Sequence, residues 1–154
     1  MATVYDEKLT VPLRWWVQGW MLVASLWLAL VVAVPGPLAW VVTALALTLL
    51  TVLLRSYGAS RIVVDYDSLR VGRARIEARH LGTAESLDAE QARRAAGVEA
   101  DARAFLLLRP YLKRAVRIEI TDPADPAPYW LVSTRHPDDL AGAVRALTGH
   151  GSTP

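Results

Sequence analysis

The side chains best suited to chemistry in this 154-residue chain fall into three groups. The first is the histidines, His80, His136 and His150. They do not form HExxH or another compact metal pattern, and the chain has no cysteine to supply a thiolate ligand or nucleophile. The second is the carboxylates Asp122, Asp125, Asp138 and Asp139, of a type that oxygen-loving divalent cations prefer. DPADPAP lacks the spacing and glycine of a calcium loop, and Asp in such a run is an ordinary turn former. Ser133 and Thr134 lie near His136, but no GxSxG elbow orients a base on either hydroxyl. There is no glycine-rich phosphate loop. These patterns imply no catalytic residues, no metal and no cofactor.

The third group is cationic. Arg70, Arg73, Arg75 and Arg79 follow one another closely, and Lys113, Arg114 and Arg117 form a second cluster. Arg73, Arg75, Lys113 and Arg114 are the candidate contacts to anionic lipid. Tyr129, Trp130, Arg135 and His136 are the candidate interface positions, the two aromatics reading as core or interface. No motif supports nucleic-acid binding.

The elements that must carry these groups begin with an unusual run. Residues 15–54 contain no Asp, Glu, Lys, Arg or His. Trp15–Val34 is long enough as a helix to rise roughly 30 Å, the thickness of a bilayer's hydrocarbon core. Pro35, Gly36 and Pro37 make a turn, and Leu38–Leu54 returns over roughly 25 Å. Thr43, Thr48 and Thr51 fit such a helix, because their hydroxyls can bond the carbonyl four residues back. A signal peptide would show an apolar region of about 7–15 residues and a cleavage site; here the run is longer and a second follows. A buried soluble pair would need more protein around it than the rest of the chain supplies. Lys8 and Arg14 precede the pair, Arg55 and Arg61 follow it, and the turn is uncharged. The positive-inside tendency puts both termini in the cytoplasm. The expectation is a multi-pass plasma-membrane protein: a leading segment 1–14, a transmembrane hairpin 15–54 with its turn at 35–37, a cytoplasmic domain 55–148 and a flexible tail 149–154.

From Arg55 onward, fifteen Lys or Arg face thirteen Asp or Glu, a mixed and water-facing surface. RIVVDY and LRVG around Asp67-Ser68 predict a hairpin. Arg75–Leu81 predicts a third strand that Gly82 breaks, and Asp88–Ala96 a loop or short helix. AFLLLR is a short strand ending before Pro110. AVRIEIT alternates as a half-buried strand, and YWLVST returns after a proline-rich turn. Pro137 opens a helix with Leu140, Val144 and Leu147 as its apolar stripe, Asp138 and Asp139 at its positive end, and Gly149 as its stop. The fold class is an α+β membrane protein: a two-helix hairpin, then a small antiparallel β domain, as a barrel or an open sheet, with a C-terminal helix.

The double apolar segment, with RIVVDYDSLRVG and DPADPAPYWLVSTRHPDDLAGAV after it, resembles an actinobacterial membrane-protein family catalogued as domain of unknown function 3093. The likeness covers almost the whole chain and is most specific over 122–137. The second half more loosely resembles bacterial pleckstrin-homology-like domains. The family resemblance implies membrane location and a partner, with no active site to carry over. The leading expectation is therefore a noncatalytic membrane-anchored scaffold or accessory subunit. Its partners would be the bilayer and an unidentified membrane or cytoplasmic protein, and homo-oligomerisation is compatible with it. The alternatives are an anionic-lipid sensor and, last, a small membrane enzyme.

Overall fold

The structure, a computed structural model, describes residues 4–34 and 36–150. Pro35 of the expected turn and residues 151–154 of the expected tail lie outside them. Two compact units emerge, one of residues 10–60 and one that joins residues up to Leu9 to those from Arg61 onward.

The first unit is the helical hairpin, α1 (Leu13–Ala33) and α2 (Leu38–Gly58). Both are long and apolar enough to cross a membrane. α2 runs four residues beyond Leu54, through Arg55, because nothing before Gly58 breaks it. Four hydroxyls of the apolar stretch bond within their own helix: Ser25 to the Met21 carbonyl, Thr43 to Ala39, Thr48 to Ala44 and Thr51 to Leu47, at 2.8–2.9 Å. That leaves these groups satisfied without water. Gly19 lets the helices meet closely, since a Cβ there would stand 2.9 Å from Leu50 Cδ2. Trp27 and Trp40 meet edge to face with centroids 5.7 Å apart.

Among the described residues the second unit holds eight strands in two sheets, not one barrel. The first sheet is a meander of β1 (Tyr5–Lys8), β2 (Arg61–Val64), β3 (Ser68–Val71) and β4 (Ala74–Glu77), all antiparallel. β1 belongs to the leading segment, to which the sequence reading gave no place in the fold. It pairs Tyr5 with Val64 and Lys8 with Arg61. One face of this sheet carries Val64, Leu69, Ile76, Ile62 and Val71 into the core, and the other shows Asp6, Arg70 and Arg75 to solvent. β3 and β4 join through Gly72-Arg73. Only Gly72 has positive φ (61°), the pattern of a type II′ turn, for which glycine is the natural first residue.

A 3₁₀ turn (Ala78–His80) leads into β5 (Leu81–Leu87). Gly82 does not break this strand. It sits where the β5–β7 register shifts, and a Cβ there would come within 3.0 Å of Glu119 Cβ, so glycine permits the close approach. The second sheet runs β5, β7 (Ala115–Ile120), β8 (Tyr129–Ser133) and β6 (Phe105–Leu107). Its one parallel pair is β6 with β8. α3 (Ala89–Ala96) follows β5 as a true helix, because Asp88 and Gln91 form a reciprocal capping box at its start.

All five residues of β8 are buried, for two reasons. Trp130 and Val132 enter the main core beside Leu140, Val144 and Leu147 of α4 (Pro137–His150), while Tyr129 and Leu131 pack beneath α3 with Ala92 and Ala95. Burial on both faces explains the nearly continuous apolar run. Gly149 does not stop α4. It lies within the helix, without the positive φ that makes glycine a C-terminal cap.

Candidate functional site

The most polar part of the interior is a carboxylate. Glu7 alternates with Asp6 and Lys8 along β1, so its side chain faces inward and is only 7% exposed. Three donors meet it. The Thr134 hydroxyl donates to Oε2, the Tyr5 hydroxyl donates to Oε2 at 2.8 Å, and the Arg135 backbone N–H donates to Oε1 at 3.0 Å. Thr134 Oγ1 also accepts the His136 N–H at 3.0 Å, just before α4. Burying a carboxylate is tolerable when its lone pairs are occupied this way. Burial, with Glu7 and Asp139 nearby, pushes the Tyr5 phenol up to about 12, against a lowering influence from the Thr134 hydrogen bond. The node ties the strand before the hairpin to the junction between β8 and α4. Sequence reasoning missed Tyr5 and Glu7, whose only signal was an inward-facing acid in an otherwise unremarkable tetrapeptide.

The expected interface positions divide. Tyr129 is buried, takes the Asp101 N–H on its hydroxyl at 3.0 Å and lies under the Arg117 guanidinium at 4.2 Å. Trp130 is buried against Phe105, with centroids 5.0 Å apart. Both are therefore core aromatics that present almost no surface. Arg135 is half-buried and His136 exposed, its Nδ1 3.9 Å from Asp139.

The four expected lipid contacts are exposed. Arg73 occupies the β3–β4 turn, and Arg75 faces Arg70 across the strand pair. Lys113 and Arg114 stand before β7, where Arg114 Nη2 donates to the Arg135 carbonyl at 2.9 Å. None of the four lines the groove of about 760 Å³ that runs between the 3₁₀ turn, β5 and the end of α4; it holds Arg79, Glu119, Arg145 and Thr148 instead. Those groups are occupied: Arg79 with Glu77, Glu119 with Thr83, and Arg145 with the Ala84 carbonyl.

His80 approaches Asp122 at 4.0 Å. Asp122 and Asp125 each accept a backbone N–H two residues on, from Ala124 and Ala127, so the proline-rich run is built from Asx turns. The Ser133 hydroxyl accepts the Arg109 N–H at 3.1 Å. Among the described residues no three His, Asp or Glu side chains converge as metal ligands.

Two long apolar helices joined to an α+β unit define a protein with a candidate membrane hairpin and a small folded domain. Residues 4–144 match the model of the family described as Protein of unknown function (DUF3093), and the chain belongs to that family. No curated protein and no solved structure matches the chain.

Proposed function

We propose that this chain is a noncatalytic membrane-anchored scaffold or accessory subunit. In this reading the hairpin spans the plasma membrane, both termini are cytoplasmic, and the β unit is presented to a membrane or cytoplasmic protein. One observation carries the reading: β1 precedes the hairpin, β2 follows it, and the two pair residue for residue from Tyr5–Val64 to Lys8–Arg61. A strand ladder cannot form across a bilayer, so a spanning hairpin must return its second end to the face from which it left. Lys8, Arg14, Arg55 and Arg61 then favour the cytoplasmic face. The membrane hairpin becomes an insertion into a β-hairpin, and it fixes the domain at two points instead of hanging it from a single linker. Such a mount suits a part that positions a partner.

The test is topological and then biochemical. Reporter fusions at either terminus should read cytoplasmic, and one at Gly36 should read external. Purification in a mild membrane mimic should retain a protein partner in stoichiometric amount. A terminus on the outer side would overturn the topology. Retention of one lipid headgroup class without any protein would favour the lipid-sensing reading.

A further inference from the structure

We propose that the end of the β unit from which the chain enters and leaves the hairpin is a cationic rim that binds the anionic phosphate headgroups of the same leaflet. The inference rests on the membrane-anchor reading above and names a surface for it. The rim comprises Lys8, Arg61, Arg73, Lys113, Arg114 and Arg135.

These residues are scattered in sequence, and strand pairing and hydrogen bonds gather them. Lys8 and Arg61 are paired across β1 and β2. The Gly72 N–H donates to the Arg61 carbonyl at 2.8 Å, which brings the Arg73 turn beside them. Arg135 Nη1 donates to the Lys8 carbonyl at 3.2 Å, and Arg114 Nη2 donates to the Arg135 carbonyl. Lys113 adjoins Arg114, and Tyr111 Oη nearby donates to the Leu9 carbonyl at 3.1 Å. The acids at the surface of this end are Asp6, already paired with Arg61, Asp138 and Asp139 at the start of α4, and Asp88 and Glu90 at the start of α3, where the Asp88 carboxylate is occupied by the Glu90 and Gln91 N–H groups. Glu7 points inward and is filled by donors.

The opposite end carries two acidic turns. β2 runs from Arg61 to the Asp65–Asp67 turn, and β7, which begins just after Arg114, runs to the loop bearing Asp122 and Asp125. Those two acidic turns lie together, because the Ala78 N–H donates to the Asp67 carbonyl and the Thr121 N–H to the His80 carbonyl, each at 2.8 Å. Arg79 at that end is held by Glu77. Six cations thus gather at one end of the unit, and two acidic turns lie at the other.

The chain enters and leaves the hairpin from this end through short tethers. Only residues 9–12 separate Lys8 from α1, and only Ala59 and Ser60 separate Arg61 from α2. A fully extended chain spans at most about 3.6 Å per residue, so these tethers reach at most about 18 Å from Lys8 and about 11 Å from Arg61. An anionic surface attracts cations over about a Debye length, and it repels the acidic turns at the far end.

The experiment uses the full chain in nanodiscs containing phosphatidylcholine and phosphatidylglycerol. Lipids carried through gentle detergent extraction are quantified by mass spectrometry. Arg73→Gln with Lys113→Gln removes two exposed rim charges, whereas Arg79→Gln with Arg93→Gln removes the same charge elsewhere. The wild-type chain should enrich phosphatidylglycerol, the rim variant should lose that enrichment by roughly fivefold or more, and the control variant should keep it. Added salt should weaken it as well. An unchanged lipid ratio in a rim variant that still resists carbonate extraction from membranes would overturn the rim. Release of the wild-type chain by carbonate would overturn the membrane reading itself, and the rim with it.

Discussion

Glu7 and Thr134 stand 127 positions apart in the chain and share a hydrogen bond in the interior of the β unit. With Tyr5 and the Arg135 N–H they make a node in which each donor needs the same carboxylate. Glu7→Ala strands those donors, and each unsatisfied buried donor costs about 1–3 kcal/mol, with partial rescue by water. The expected loss of stability is about 2–4 kcal/mol, measured by pulse proteolysis of the full chain across a denaturant series. Combined with Thr134→Val, the losses should fall short of additive by about 0.5–3 kcal/mol. Simple additivity would mean that the two side chains do not interact.

Tyr5 gives the node a pH signature. Its phenol ionises near 12 in the folded chain against 10.0 in the unfolded one, chiefly because burial disfavours the phenolate. The folded state therefore keeps a proton that the unfolded state loses. Stability should be indifferent to this group below pH 10.0 and should fall as pH rises from there to about 12. A difference absorbance titration, wild type against Tyr5→Phe, isolates the group. A transition near 10 in the folded protein would show an ordinary, solvated phenol.

The reason β1 escaped the sequence reading lies in its inward-facing set. Tyr5 and Glu7 face the core, and Asp6 and Lys8 face water, so apolar periodicity has nothing to register. Its partner strand begins beyond the hairpin, and Asp6 finds Arg61 across 55 positions. By contrast, Val116, Ile118 and Ile120 alternate cleanly because one face of β7 enters the main core. The α4 stripe was legible for the same reason. The gathering of the six rim cations at one end of the unit was hidden, because strands that reverse direction bring to one end residues that the sequence keeps far apart. Gly82 misled for a related reason. Its role is set by Glu119 on the neighbouring strand, and nothing local distinguishes a bulge from a break.

Val144 is fully buried at the centre of the α4 stripe, between Leu140 and Leu147. Val144→Asp places a carboxylate there with no donors to receive it, unlike Glu7. Destabilisation of about 3–5 kcal/mol is expected, enough to unfold much of the β unit. The measurement is hydrogen exchange of the β5 and β7 amides, the strands against which α4 packs. Exchange as slow as in the wild type would place Val144 at the surface.

The contribution of β1 can be separated from that of the membrane. A fragment starting at Arg61 lacks Leu9, a fully buried core residue, and Glu7, the acceptor for Thr134. It also leaves β2 as an open edge, which invites pairing between copies. A second fragment restores residues 4–9 and replaces 10–60 with a short glycine-containing turn, which the antiparallel pairing of Lys8 with Arg61 allows. The turn-linked fragment is expected to be soluble and monomeric, with a single cooperative unfolding transition. The fragment without β1 is expected to aggregate or to unfold at markedly lower denaturant. Gel filtration with denaturant titration decides between them. Equal stability of the two fragments would show that β1 is dispensable, and it would remove the support that the β1–β2 ladder lends to a hairpin fixed at both ends.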